Sequence, residues 1–235
     1  MKHTCAAVNV GHTLKSNEIW FCSSGSSNRS KSCVSININK QITTPRVPLT
    51  SPHIHGNMVT INDELINDGF GDTLIIIGGK HGTSYNEPTD QVEFCDRNCV
   101  AGNGVWRTLP PLPEKLYSGQ VAVNTKSKRI YHFGGQGVNY ESKNVFALDY
   151  RPQDFRPLRG QLSFDRWLSV GELDTARSHG QVVFDVRSGF FWLVGGTASG
   201  LTEKWSEEIE SDVFISSTWF HRRQFSLILM ENKPE

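Results

Sequence analysis

One pattern recurs four times along this chain and limits its folding more than any other feature. "HTCAAVNV" from His3, "HGNMVTIN" from His55, "SGQVAVNT" from Ser118 and "HGQVVFDV" from His179 align without gaps. A second apolar run follows each of them: "EIWFCSSG", "DTLIIIGG", "RIYHFGG" and "FFWLVGG". Three of these end on a glycine pair, Gly78-Gly79, Gly134-Gly135 and Gly195-Gly196, where the first carries Ser23-Ser24-Gly25. A third run comes next, as "SCVSINI", "QVEFCD", "NVFALDY" and "SDVFISS". The fourth holds a tryptophan in three copies, Trp106, Trp167 and Trp219, with "ITTPRVPL" in that place in the first copy. Recurrence of this kind is the mark of repeat architectures. Short alternating runs bounded by Gly, Asn, Asp, Ser and Pro are expected to be strands, so each unit reads as a four-stranded antiparallel meander. One such sheet cannot bury two apolar faces alone, whereas sheets stacked radially cover one another.

The order of apolar run, glycine pair, "VEFCD" or "VFALD", tryptophan, "LPPLP" and then "HGQVV" resembles the Kelch repeat. The units at His55, Ser118 and His179 carry the likeness, and the unit at His3 is a degenerate copy. The resemblance implies an all-β, Kelch-type β-propeller region over residues 1–235, with four recognisable four-stranded blades. Their approximate ranges are 1–54, 55–114, 115–176 and 177–222, with 223–235 an extra strand and tail. Kelch propellers commonly have six or seven blades, so the likeness implies part of a larger array or a diverged small one. "QFSLILMEN", from Gln224, reads either as the innermost strand of a further blade or as an extension of the Trp219 strand.

In a meander, successive connections alternate between the two ends of the sheet. With strands a to d counted from the axis outward, loops b–c and d–a share one end, where the resemblance implies that partners dock. The b–c loops hold Lys80, His81, Ser84, Tyr85 and Asn86, then Gln136, Asn139 and Tyr140, then Thr197 and Ser199. The d–a loops add Lys115, Tyr117 and Arg177. Aromatic, amide, hydroxyl and cationic groups in such a mixture suit recognition of another protein or peptide, although ordinary solvated loops have the same composition. The glycine pairs, Trp106 and Trp167 read as structural repeat positions, the tryptophans packing one blade on the next. At the other end, "RPQDFRPLRGQLSFD" reads as a long c–d loop.

Lys plus Arg and Asp plus Glu are 24 each, a net charge of zero that argues against a broad nucleic-acid or membrane surface. No apolar run approaches membrane-spanning length, and "MKHTCAAVNVGH" has no sustained apolar core, so no membrane insertion and no signal peptide are expected. Cys22 with Cys33, and Cys95 with Cys99, are candidate disulfides in an oxidising compartment; reduced thiols packed as small apolar groups fit the sequence equally. The compartment is accordingly open: cytoplasmic with free thiols, extracellular with paired ones. Asn28-Arg29-Ser30 is a glycosylation triplet, relevant only to a secreted chain.

His53 and His55 form an H-x-H pair, but His55 aligns with His3 and His179 and so reads as a repeat position that hydrogen-bonds the neighbouring unit. "GGKHG" lacks phosphate-loop spacing. The acidic run Glu207, Glu208, Glu210 and Asp212 reads as solvated rather than calcium-binding. No catalytic residue, metal site or cofactor is assigned. The function expected is a non-catalytic interaction module. Two alternatives stand beside it: a copper enzyme of the galactose-oxidase type, in which Cys95 or Cys99 would modify a tyrosine, and a secreted glycan-binding or adhesive propeller.

Overall fold

The computed structural model describes residues 4–9, 17–23, 31–61, 73–81, 87–100, 102–152, 162–198, 201–207 and 212–215. Four antiparallel four-stranded sheets follow one another along the chain, so the protein is all-β. The first contains β1 (Thr4–Asn9), β2 (Asn17–Cys22), β3 (Cys33–Asn37) and β4 (Ile42–Arg46). The second contains β5 (Asn57–Ile61), β6 (Thr73–Ile77), β7 (Val92–Cys95) and β8 (Arg107–Leu109), with one helical turn, α1 (Arg97–Val100), before its last strand. The third contains β9 (Gln120–Asn124), β10 (Arg129–Gln136), β11 (Glu141–Pro152) and β12 (Leu162–Glu172). The fourth contains β13 (Gln181–Asp185), β14 (Phe190–Val194), β15 (Leu201–Trp205) and β16 (Asp212–Ile215). Within every sheet the strands lie side by side in chain order. Their first strands are neighbours in turn, β1 beside β5, β5 beside β9 and β9 beside β13.

Three expectations about strands change. "SDVFI" is the fourth strand of the last sheet, not its third, because "LTEKW" forms β15 ahead of it. The sequence reading passed over β15 because charged residues interrupt it, yet Glu203 is fully buried. Trp219 and "QFSLILMEN" lie outside the described residues. Second, the long c–d loop is in part strand, since β11 runs through Arg151 and Pro152 and β12 begins at Leu162. Third, Thr4 pairs with Cys22 as Asn57 pairs with Ile77, so Thr4 rather than Cys5 takes the place of Asn57.

Because side chains alternate along a strand, each central sheet has two apolar faces. Trp20, Cys22 and Cys33 of the first sheet pack with Leu74, Ile76, Cys95 and Trp106 of the second. The other face of the second sheet, Ile75, Ile77 and Val92, meets Ile130, Phe146 and Leu148 of the third. Tyr131, Phe133, Val145 and Ala147 then meet Phe191, Leu193 and Trp205 of the fourth. Both candidate disulfides are formed. Cys22–Cys33 joins directly opposed residues of β2 and β3, and Cys95–Cys99 joins β7 to α1.

Recurring hydrogen bonds tie each sheet to the next. Gly79 N donates to Leu116 O at 2.8 Å, and Gly135 N donates to Arg177 O at 2.9 Å. Ser118 N donates to His55 O, and His179 N to Ser118 O, both at 2.8 Å. Trp106 Nε1 reaches Val47 O at 3.1 Å and Trp167 Nε1 reaches Pro110 O at 3.0 Å, each carbonyl standing just past the last strand of the preceding sheet. The repeated histidine therefore links sheets through hydrogen bonds of its own backbone. What position 55, 118 or 179 needs is a left-handed backbone, with φ of 59°, 52° and 61°.

The glycine pairs sit where this contact is made. Gly134 has φ +56°, and a Cβ there would lie 2.4 Å from Arg177 O. Gly195 has φ +70°, but among the described residues nothing lies within 4 Å of its Cβ position. Gly134→Ala is therefore expected to cost about 3 kcal/mol, combining left-handed strain with overpacking. Gly195→Ala should cost only about 1 kcal/mol, the conformational part alone. Chemical denaturation of the two variants tests this; equal losses would show that the close approach contributes nothing.

His132 on β10 is fully buried with no hydrogen-bond partner at either ring nitrogen. Its equivalents on β6 and β14 are Ile76 and Leu193, both apolar. Burial pushes its pKa down from 6.5 to about 4. The unfolded chain thus takes up the proton first, and stability falls as pH drops from about 6.5 to about 4. His132→Leu should raise stability by about 1–2 kcal/mol at neutral pH and remove that part of the acid dependence. Thermal melts at pH 7 and pH 5 that move no further apart in wild type than in the variant would count against it.

Candidate functional site

The segments leading into β5, β9 and β13 return across the loops that follow β6, β10 and β14. Ile54 and Lys80 exchange backbone hydrogen bonds at 3.2 and 2.7 Å, and Tyr117 and Gln136 do so at 3.0 and 2.8 Å. Thr197 N donates to Ser178 O at 3.0 Å in the matching place of the fourth sheet. The same end of three sheets thus presents one incoming segment and one outgoing loop each.

A buried carboxylate holds two of the incoming segments. Glu93 on β7 accepts Thr50 N at 2.9 Å and Ser51 N at 2.8 Å. The fully buried His53 ring lies between two acceptors, Nδ1 2.6 Å from Gly78 O and Nε2 3.2 Å from Glu93 Oε1. In the fourth sheet Glu203 stands in the place of Glu93 and accepts Asp174 N at 2.7 Å and the Arg177 guanidinium at 2.9 Å. The third sheet has Phe146 in place of the carboxylate, Leu116 in place of the cation and Pro113, which has no N–H, in place of Thr50. Donor, acceptor and charge are absent there together, which is how a site avoids an unpaired buried group.

Arg177, expected among the contact residues, must therefore be withdrawn: both it and Glu203 have fully buried side chains, and its guanidinium also faces Leu193 O at 3.4 Å. His53 and His55 do not share a role either. His53 is part of the buried scaffold, whereas the His55 ring stands at the sheet end beside Tyr117.

Tyr117 is the meeting point of the exposed groups. The Lys80 ammonium from the second sheet lies 3.7 Å from its ring centroid. His55 and His179 approach edge-on at 6.2 and 6.4 Å. Half-burial, and then the negative charge of Glu141, raise the Tyr117 phenol above its ordinary pKa. Glu141 accepts Ser178 Oγ at 2.7 Å, and that hydroxyl lies 2.8 Å from His179 Nδ1. Nearby, Tyr140 is 51% exposed, its hydroxyl donating to Glu114 at 3.4 Å. Glu114 also accepts the side-chain amide of Asn144. Lys115 and Asn139 are exposed at this end, and His81 N donates to Glu87 O at 3.1 Å. Ser84, Tyr85, Asn86 and Ser199 lie outside the described residues.

The structure brings together Lys80, Tyr117 and Gln136, which the sequence reading listed on separate loops, and sets beside them His55, His179, Ser178, Glu114 and Glu141, which it had not singled out as contacts. The carboxylates could have been found only by matching them to partners across the repeat. Among the described residues no group of three or more His, Cys, Asp and Glu is placed to hold a metal ion. Cys95 and Cys99 are bonded to each other, so neither is available to modify a tyrosine. At the opposite end, a cleft of about 490 Å³ is lined by Ser127, Lys128, Arg129, Asp149, Tyr150 and Arg151. Its Arg129 is engaged by Asp149 at 2.6 Å and by Glu207 of the acidic run. No protein-family model matches the chain, and no curated protein matches it.

Burial alone would raise the Glu93 pKa and is the largest single influence. Hydrogen bonds from His53, Ser51 and Thr50 together outweigh it and hold the group at about 2 instead of 4.5. This stabilisation is complete above about 4.5 and is lost as pH falls towards about 2. Glu93→Gln should cost about 3 kcal/mol at neutral pH, because an amide has one acceptor oxygen for the four donors that the carboxylate now faces, Thr50 N, Ser51 N, Ser51 Oγ and His53. Denaturation curves from pH 7 to pH 2.5 should then fall less steeply below pH 4.5 in the variant than in wild type; parallel curves would refute the assignment.

Proposed function

We propose that this chain is an arc of a Kelch-type β-propeller and works as a non-catalytic module that binds another protein or peptide at the sheet end around Tyr117. The observation that carries the reading is the Tyr117 node. Three consecutive sheets contribute Lys80, His55, Tyr117 and His179 to one aromatic and cationic cluster. Partly buried tyrosines ringed by polar groups are typical binding anchors. The scaffold beneath is rigid, with Glu93 and Glu203 pinning the segments that carry these groups, so little ordering is needed on binding. The ordered, side-by-side first strands and the repeated ties between sheets support the propeller reading. The two disulfides favour an oxidising compartment, where a secreted adhesive role is the second reading.

The test uses a displayed random-peptide library, selected on the purified chain. Consensus peptides should lose about tenfold to a hundredfold in affinity for Tyr117→Ala, a typical anchor effect. Val105→Asp, at an exposed position between β7 and β8, should bind them as wild type does. Peptides that bind Tyr117→Ala and wild type equally, or a library that yields none, would sink the proposal.

A further inference from the structure

Trp20 and Cys22 on β2, Ile75 and Ile77 on β6, and Tyr131 and Phe133 on β10 are matching residues, each packed against the following sheet and at most 1% exposed. Their counterparts on β14 are Trp192 and Val194. Val194 is 46% exposed and Trp192 half-buried. Beside them Val183 is 37% exposed, where the matching Ala122 of the third sheet is buried. Phe190 continues the patch, with the Lys204 ammonium 3.5 Å from its ring centroid. Gly78 and Gly134 each have a carbonyl of the next sheet at 2.4 Å from the Cβ position, while at Gly195 that space is open among the described residues.

The first sheet shows the converse. Ile19 and Phe21 of β2 are half-buried, whereas their counterparts Leu74, Ile130 and Phe191, and Ile76, His132 and Leu193, are fully covered. Val34 and Ile36 of β3, directly opposite Phe21 and Ile19, extend the same apolar face. Among the described residues, the fourth and first sheets thus each carry an apolar face, around Val183 and Val194 and around Phe21 and Ile36, that is more exposed than the matching faces of the inner sheets.

We propose that these two faces bind each other in trans: the fourth sheet of one copy packs on the first sheet of a second copy, head to tail. The geometry is that of a contact the chain already makes three times within itself. A contact between two fourth sheets would leave the Ile19–Phe21 face uncovered. Heterologous contacts close into rings when the rotation permits, and two copies bring eight sheets, within the range of about four to eight known for radial arrays. The association is independent of the recognition proposed at Tyr117.

Sedimentation velocity over about a hundredfold range of concentration tests this. Wild type should pass from monomer to dimer. Val183→Lys and Val194→Lys on the fourth sheet, and Ile36→Lys on the first, should each weaken association about a hundredfold or more. Val183 and Val194 are exposed, so at concentrations where wild type is monomeric their variants should match its melting temperature. Mixing Val194→Lys with Ile36→Lys should restore association, because each copy retains the face the other has lost. Tyr117→Ala should associate like wild type. A wild type that remains monomeric throughout would overturn the proposal, since its faces would then be covered by something other than a second copy. So would an Ile36→Lys variant that still dimerises, or a mixture in which association does not return.

Discussion

The backbone carbonyls of Leu116 and Arg177 receive the N–H groups of Gly79 and Gly135 from the preceding sheet, and the arrangement of the sheets depends on that contact. It brings the backbone of one sheet's outgoing turn against the backbone of the next sheet's incoming segment. At Gly78 and Gly134 a carbonyl of the next sheet leaves no room for a side chain, and the same left-handed turn recurs where that space is open: φ is 60° at Gly78, 56° at Gly134 and 70° at Gly195. Ser23 holds the same conformation at 58° in the first sheet, and Ser23 N bonds Ser32 O as Gly78 N bonds Gln91 O. A degenerate copy has thus kept the backbone geometry after losing the glycine, at the strain a non-glycine residue bears in that region.

Once the sheets are tied at these points, their apolar faces are brought into register and bury one another. The incoming segment then poses its own problem, because its amides are carried away from water without a strand partner. Two solutions occur in one chain. Glu93 and Glu203 accept those amides and are met on their other side by His53 and by the Arg177 guanidinium. The third sheet removes the need, with Pro113 offering no donor and Leu116 and Phe146 packed in the apolar cluster. A buried ion pair is weak evidence for stability on its own. Here it holds a segment in place, and an apolar triple does the same for its neighbour.

Much of the fold could be read from local pattern. Strand alternation, the glycine pairs and Trp106 and Trp167 all act within a few residues of themselves or at a fixed step in the repeat, so their signal survives in the sequence. Two misreadings have a single cause. Arg177 was taken for an exposed contact residue because it lies in a polar loop, and β15 was passed over because Glu203 and Lys204 interrupt its apolar run. Both follow from the Arg177–Glu203 pair, whose members are 26 residues apart and bury each other completely. No local property of either residue reveals the other. Aligning the repeats position by position does, because His53 with Glu93 and Leu116 with Phe146 fill the same two places.

The site follows the same division. Positions 54, 117 and 178 are equivalent, yet hold Ile, Tyr and Ser, and positions 80, 136 and 197 hold Lys, Gln and Thr. The backbones pair in both directions at 54/80 and 117/136, where the scaffold uses no side chain, while in the fourth sheet Thr197 N donates to Ser178 O and Ser178 N donates to Thr197 Oγ1. At the buried carboxylate position the scaffold is constrained: where Phe146 replaces Glu93 and Glu203, Pro113 and Leu116 remove the donors with it. Side-chain freedom above and constraint below meet at Tyr117, whose backbone is fixed by Gln136 while its ring is met by residues from the sheets on either side of its own. Side chains at positions 54, 80, 117 and 136 can therefore change without cost to these backbone pairings, a freedom that the glycine turns and the buried carboxylates below them lack.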